Sequence, residues 1–252
     1  YALRQPIVSE PGNAMEYSTG SSHLLSAILT KASGASTWQY AQTALATPMG
    51  LRLARWPVDP QGVYFGGNEM LLTPRQMVAI GQLYLDHGHA NGRQIVPAAW
   101  VETSCVPRTT SAWDGDRRYG YGWWIQAFDG GTTCFAWGYG GQYIFVFREL
   151  NLVVVATSST AVSEERRGHR RRLFCCSQRT SRRDGVAHVT CRLGDKLGQA
   201  LRAAEVVGPA SVLDVMLGAG GHRHPANGIR ERIALWRRGR VVMRLGMSVL
   251  RV

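Results

Sequence analysis

The sequence predicts an α+β fold, in which helices precede an antiparallel sheet along the chain. Up to Val101, apolar residues recur at helical spacing between residues that start and stop helices. From Tyr119 the pattern changes to short runs of aromatic and β-branched residues, which are typical of strands. Amphipathic order fades after Phe174, so we expect the folded domain to occupy residues 1–174.

Four helices are predicted, each with a recognisable start signal. They begin near Thr19, Trp38, Thr73 and Pro97. Residues placed to end the first three are Gly34, Pro48 and Gly88. Thr19 is the expected N-cap of the first helix, whose apolar face is expected at Leu24, Leu25, Ile28 and Leu29. Thr73-Pro74 supplies a capping hydroxyl followed by proline at the first helical position.

Three antiparallel strands are predicted after the helices, at residues 121–128, 135–147 and 152–157. The connection from Arg148 to Asn151 is short enough for a hairpin. Residues 152–156 are apolar on both faces of the expected strand. This pattern predicts a central strand that is covered on both sides.

The net charge of +12 belongs to the last third of the chain. Residues 1–163 hold 10 basic and 10 acidic side chains, whereas residues 164–252 hold 19 and 7. The high pI therefore says nothing about the partner of the first domain. We expect residues 175–252 to be an arginine-rich extension, poorly ordered or unrelated to the domain. A further hypothesis is that this segment is translated in a shifted or unrelated reading frame, which fits its abundance of arginine, glycine and valine.

The tail carries only weak candidates for a binding site. Its arginine-rich stretches, 166–183 and 230–244, lack interleaved aromatic residues, so we expect an incidental basic surface and no contact with nucleic acid or anionic membrane. Residues 218–221 fit neither a dinucleotide nor a phosphate loop, and no cofactor is predicted. No metal site is predicted, because paired Cys-x-x-Cys spacing is absent among Cys176, His188, Cys191, His222 and His224.

The five cysteines are an odd number at irregular spacing, and we interpret them as free thiols. The sequence contains no apolar run of membrane-spanning length and no signal-peptide pattern. Compartment, substrate and oligomeric state stay open at this point.

Two motifs carry the functional signal. A Pro11-Gly12 turn and a short extended stretch place Tyr17 immediately before the first helix, which can hold a phenol rigidly at a cleft. Far along the chain, the run from Gly138 to Gln142 opens a strand. Either motif alone is more often structural, as a packing residue or a strand-entry turn. Together they suggest half of an active site.

Several further motifs occur in a characteristic order. They are Tyr17-Ser18-Thr19 before a leucine-rich helix, Pro48-Met49-Gly50-Leu51, Leu72-Thr73-Pro74-Arg75, Gly92-Arg93-Gln94-Ile95-Val96-Pro97 and Gly138-Tyr139-Gly140-Gly141-Gln142. Over about residues 3–174 the chain resembles the serine hydrolases related to class C β-lactamases. That group includes penicillin-binding proteins, family VIII esterases and 6-aminohexanoate-dimer hydrolases. The resemblance implies a β-lactamase/transpeptidase-like fold, here N-terminally incomplete, and hydrolysis of a small ester or amide through an acyl-enzyme.

The resemblance also implies residue roles. Tyr17 takes the position of the general base, and the backbone N–H of Gly141 that of an oxyanion donor. Thr19 stands where the family usually has asparagine, as a substrate-orienting residue. Gly138, Tyr139 and Gly140 fall on the Lys-Thr-Gly position without its lysine, as in the esterase and amide-hydrolase branches. Gln142 would contact the acyl group.

The nucleophile motif of this family, Ser-x-x-Lys, is absent from the sequence. Only Lys31 and Lys196 are lysines, and the residues three positions before them are Ile28 and Leu193. We therefore expect this chain to be inactive by itself, as the C-terminal portion of a hydrolase domain, and poorly soluble. The alternative is a non-catalytic binding or regulatory protein whose basic tail contacts nucleic acid or anionic membrane.

Overall fold

The computed structural model describes residues 2–10, 12, 15–111, 114–128, 131–149 and 151–158, and the backbone of five strands between residues 180 and 241. The chain divides into two compact units, Tyr1–Ile125 and Gln126–Val252. In the described residues, no helix is long and apolar enough to cross a membrane. The helices before the first long strands and the antiparallel pairing after them confirm the predicted α+β class.

The helices of the first unit follow the predicted order. After a short 3-10 turn at Ala2–Arg4, they are α1 (Thr19–Ser33), α2 (Thr37–Tyr40) continued by a π-helical turn (Ala41–Ala46), α3 (Pro74–Leu85) and α4 (Ala98–Ser104). The cap of α1 is Ser18 rather than Thr19, because the Ser18 hydroxyl accepts the N–H of Ser21 at 3.1 Å. Thr73 caps α3 as predicted, in a reciprocal capping box with Gln76.

Only part of the predicted apolar face of α1 is covered, because Leu24 and Leu29 are half-buried. Leu25 and Ile28 are 67% and 62% exposed, whereas Ser26 is 4% exposed. The Ser26 hydroxyl lies 2.6 Å from the Thr37 hydroxyl and donates to the Tyr64 carbonyl at 2.7 Å. Ser26 thus contributes a buried polar contact between α1 and its neighbours, whereas Leu25 and Ile28 form an exposed apolar surface, the outer face of α1.

A Gly-rich loop packs closely along α1. A Cβ atom on Gly66 would lie 2.4 Å from the Ser22 carbonyl oxygen, and one on Gly67 would lie 2.7 Å from the Thr19 carbonyl oxygen. These distances are too short for any side chain larger than hydrogen, so the loop and the first turns of α1 require glycine at both positions.

Strands of the first unit form two small sets. A short antiparallel pair joins β1 (His89–Ala90) to β2 (Arg93–Gln94). The others are β3 (Thr109–Ser111), β4 (Asp114–Tyr119) and β5 (Trp124–Phe128), with β4 antiparallel to both β3 and β5; of β5, only Trp124 and Ile125 belong to this unit. The strand predicted at 121–128 is thus shorter than expected, and β3 and β4 were not predicted.

The second unit is built on three antiparallel strands, β6 (Gly131–Gly138), β7 (Gln142–Phe147) and β8 (Leu152–Ser158). The single strand predicted at 135–147 is two strands joined by a tight turn. The prediction for residues 152–156 is confirmed, since all five are buried. Phe135, Phe145 and Phe147 are also buried and stack in a row, with ring centroids 5.3 and 6.1 Å apart for successive pairs.

Five further strands are described by their backbone. They are β9 (Thr180–Arg183), β10 (Val186–Val189), β11 (Ser211–Leu217), β12 (Ile233–Arg237) and β13 (Arg240–Val241). β11 pairs parallel with β8 and antiparallel with β12, which pairs with β13, while β9 and β10 form a separate hairpin. The prediction that residues 175–252 are unrelated to the domain stays a prediction.

The interpretation of all five cysteines as free thiols is wrong for two of them. Cys105 and Cys134 are disulfide-bonded. Cysteine spacing along the chain could not show this, because a disulfide depends on the separation of Cβ atoms in space and not on a sequence pattern. Cys175, Cys176 and Cys191 lie outside the described residues.

Candidate active site

Tyr17 lies in the extended residues immediately before α1, two positions ahead of the first helical residue. Ser18 fixes the start of the helix, so the backbone next to Tyr17 is held by the cap. The Tyr17 side chain is 45% exposed. A phenol is therefore presented to solvent from a fixed backbone position, as the sequence predicted.

The rings of Tyr119 and Trp124 contact this phenol. We call the three residues, Tyr17, Tyr119 and Trp124, the aromatic cluster. The Tyr17 ring stacks on the Trp124 ring with centroids 5.7 Å apart and an interplanar angle of 20°. Tyr119 meets Tyr17 edge to face at 6.1 Å and meets Trp124 in the same way at 4.9 Å. Tyr119 and Trp124 are directly opposite each other on β4 and β5. All three rings contact one another in geometries that aromatic pairs prefer.

Tyr119 differs from Tyr17 in its proton chemistry. Burial, and to a smaller extent the charge that Tyr17 would carry as a phenolate, raise the pKa of Tyr119 to about 12. Tyr119 is therefore a neutral phenol at any pH near 7. Within the cluster it supplies a ring and a hydroxyl, but no base.

Thr19 is the first residue of α1 and is exposed. Its methyl carbon lies 2.7 Å from the position that a Cβ on Gly67 would take, so one side of the residue packs on the Gly-rich loop. This contact holds the Thr19 side chain against the loop, two residues after Tyr17. Its predicted substrate-orienting role stays a prediction.

Residues 138–142 form the turn of a β-hairpin and do not simply open a strand. Gly138 ends β6, Gln142 begins β7, and these two residues pair. Gly140 and Gly141 have φ angles of 83° and 101°, which glycine adopts without strain. The Gly141 N–H donates to the Gly138 carbonyl across 3.4 Å, a long bond. Tyr139, at the tip, is 62% exposed.

The predicted site residues are thus described in two places. Tyr17 and Thr19 belong to the first unit, and the glycine turn, Gly138 to Gln142, belongs to the second. Each is described within its own unit. The catalytic and substrate-binding roles assigned to them stay predictions.

His23 and Asp59 form a hydrogen-bonded pair that the sequence did not reveal. His23 Nε2 lies 2.9 Å from Asp59 Oδ2, and Asp59 Oδ1 accepts the N–H groups of Gln61 and Val63 at 2.9 Å each. The hydrogen bond from His23 is the main cause that holds the pKa of Asp59 below its ordinary value, and the two N–H groups add to it. Asp59-Pro60-Gln61-Gly62 has the composition of a turn, but its partner is 36 residues away.

Metal ligation has no visible basis in the described part of the chain. No group of three or more histidine, cysteine, aspartate or glutamate side chains lies close enough there to hold a metal ion. Of the weak candidates in the tail, His188 lies in β10, whose side chains are not described, and the others lie outside the described residues.

Comparison with known families assigns residues 1–174 to the Beta-lactamase family model. The chain belongs to the Beta-lactamase family. The match covers about the same residues as the motif resemblance, which is therefore confirmed. Among curated proteins, no sequence matches the chain significantly.

Two solved structures show the fold of this Beta-lactamase-family chain. A protein described as a 6-aminohexanoate-dimer hydrolase from Bacillus anthracis matches with a TM-score of 0.51 and 21% identity, over 59% of this chain and 39% of its own. A protein described as a β-lactamase from Bacteroides dorei DSM 17855 matches with a TM-score of 0.50 and 19% identity, over 58% of this chain and 50% of its own. The chain thus spans half or less of the length of these relatives.

Proposed function

We propose that this chain supports hydrolysis of a small ester or amide through an acyl-enzyme, with Tyr17 as the general base. The observation that carries the proposal is the placement of an exposed phenol at the capped start of α1, in a chain whose first 174 residues match the Beta-lactamase family. The fold alone would not assign an activity, because one fold hosts many functions.

The proposed reaction has two steps. Tyr17, as a phenolate, removes the proton from a serine hydroxyl while the serine oxygen bonds to the substrate carbonyl carbon. Tyr17 gives this proton to the leaving alcohol or amine as its bond to the carbonyl carbon breaks, and the acyl group stays on the serine. Tyr17, again a phenolate, then takes a proton from the water that attacks the acyl-serine and passes it to the serine oxygen as the acid is released. No cofactor enters either step.

The glycine turn has a supporting role in this proposal. The Gly141 N–H, at the hairpin turn, is proposed to donate to the oxyanion that develops on the substrate carbonyl. Glycine at positions 138, 140 and 141 lets a substrate approach the backbone closely. Tyr139 and Gln142 contribute contacts to the substrate, and Thr19 orients it by its hydroxyl.

These 252 residues do not supply the nucleophile that the reaction needs, because no serine stands three positions before either lysine. We therefore expect the chain by itself to remain unlabelled by a fluorophosphonate probe. Mass spectrometry of the treated chain checks this. Acylation mapped to any serine of the chain would overturn the expectation.

Activity is tested in the gene product that contains these residues together with a Ser-x-x-Lys segment. Its hydrolysis of p-nitrophenyl butyrate, of a linear amide dimer of 6-aminohexanoate and of a chromogenic cephalosporin identifies the bond type. Because the position of the family's Lys-Thr-Gly lysine holds no lysine here, ester or amide turnover is expected to exceed cephalosporin turnover.

Tyr17→Phe removes the base without removing the ring, and we expect kcat to fall by about 100- to 10,000-fold. Tyr40→Phe, at another exposed tyrosine, is the matched control. Unchanged kcat in Tyr17→Phe would contradict the proposal. A gene that encodes no Ser-x-x-Lys segment, together with DNA or vesicle binding that weakens steeply with salt, would instead favour the binding protein.

A further inference from the structure

Tyr17 is held by contacts from outside its own element. It precedes α1 and lies in no helix or strand, so its own backbone is not part of a helical turn or a strand ladder. A phenol that acts as a base must nevertheless keep its oxygen within hydrogen-bond reach of the group that loses the proton. Its ring therefore needs support from another part of the chain.

The support comes from paired strands. Trp124, 3% exposed at the start of β5, presents its ring to the Tyr17 ring in a stack, and Tyr119, opposite it on β4, meets the same ring edge to face. Stacking limits the tilt of the Tyr17 ring, and the perpendicular contact limits its sliding along the indole. Trp124 and Tyr119 are in turn fixed by the ladder between the two strands.

We propose that Trp124 and Tyr119 are positioning residues, which hold the Tyr17 ring in the orientation that its role as a base requires. This inference rests on the proposed function. Neither residue acts on the proton. Tyr119 has a pKa near 12 and stays neutral, and the indole of Trp124 has no basic group. Their contribution is to restrict the rotation of one phenol before the substrate arrives.

The packing of Trp124 on the Tyr17 ring can be measured in the 252-residue chain, without any activity. The chain is labelled with 3-fluorotyrosine, and the Tyr17 resonance is assigned by its loss in Tyr17→Phe. Trp124→Leu removes the indole ring current, so the Tyr17 fluorine resonance is expected to move toward its value in the unfolded chain. Trp100→Leu is the control, because Trp100 stacks on Tyr121 and not on the cluster.

The measurement requires that the variant be folded. Trp124 is buried, so circular dichroism must show that Trp124→Leu retains its helices. Where it does not, Tyr119→Leu replaces it, since that change removes the other ring contact. A folded variant whose Tyr17 resonance stays at the wild-type position would overturn the inference.

Kinetics in the complete hydrolase test the consequence. Trp124→Leu is expected to lower kcat by about 10- to 100-fold with little change in KM, because a misplaced base affects the chemical step. Tyr119→Phe keeps the ring and should retain most of the wild-type rate. A displaced resonance with unchanged kcat would refute the positioning role. Unchanged kcat in Tyr17→Phe would refute the proposed function instead, so the two failures can be told apart.

Discussion

At the scale of single residues, the pair of His23 and Asp59 joins α1 to a turn that is far away in the sequence. Asp59 accepts three hydrogen bonds, one from the ring and two from its own turn. A carboxylate in such surroundings is stabilised in its charged form. The contribution of this pair to the stability of the fold near the start of α1 therefore depends on pH.

The sign of this pH dependence follows from the lowered pKa of Asp59. The unfolded chain takes up a proton near the ordinary value of 3.8, whereas the folded chain takes it up only at lower pH. The stabilisation is therefore fully present above the unfolded value and is lost as the pH falls through the folded one. In urea unfolding between pH 2.5 and 7, we expect Asp59→Asn to lower stability at pH 7 and to converge with the wild type in acid.

Glu10→Gln serves as the control for Asp59→Asn, because Glu10 is an exposed acid outside the helices and strands. It should follow the wild-type pH profile throughout. A constant difference between Asp59→Asn and the wild type from pH 2.5 to 7 would show that the carboxylate charge does not carry the stabilisation.

At the scale of elements, the sequence predicts a helix start correctly where the residues that determine it are neighbours in the chain. Thr73 and Pro74 announce α3, because a capping hydroxyl and a proline act within one turn of helix. Contacts between distant residues gave no such signal. The aromatic cluster joins positions more than 100 residues apart, since Tyr17 meets Tyr119 and Trp124 only through folding. The place of Tyr17 immediately before α1 could thus be predicted from the sequence, but the two rings that contact it could not.

The same distinction explains the errors in the elements. The turn at Gly140 and Gly141 lies between two apolar strands and lacks an Asn-Gly or Asp-Gly pair, so the sequence predicts one long strand there. Helical spacing shows which face of α1 is apolar, but it does not show what packs against that face, so the exposure of Leu25 and Ile28 could not be predicted.

Gly66 provides a test of packing between elements. We expect Gly66→Ala to lower the free energy of unfolding by about 1–3 kcal/mol, because the new methyl group would lie 2.4 Å from the Ser22 carbonyl oxygen, a backbone atom that cannot rotate away. Gly115→Ala is the matched control, since nothing lies within 4 Å of its added Cβ. Urea unfolding of both variants provides the comparison, and equal stabilities would refute the close packing of the loop on α1.

At the scale of the whole molecule, Cys105 and Cys134 are disulfide-bonded, and disulfides persist under oxidising conditions. In the denatured but unreduced chain, we expect iodoacetamide to label Cys175, Cys176 and Cys191 and to leave Cys105 and Cys134 unmodified. After reduction all five should be labelled. Peptide mapping distinguishes the cases, and labelling of Cys105 or Cys134 without reductant, in protein prepared under oxidising conditions, would contradict the bonds.

The outer face of α1 bears on solubility. Leu25 and Ile28 expose apolar side chains on one side of the helix, and such surfaces promote association. We expect the pair of substitutions Leu25→Glu and Ile28→Lys to raise the soluble fraction and lower the binding of a hydrophobic dye. Thermal stability should change little, because both side chains already contact water. Leu83→Glu, at a buried position of α3, should instead prevent folding. If the double variant is no more soluble than the wild type in sedimentation assays, the outer face of α1 does not limit the solubility of the chain.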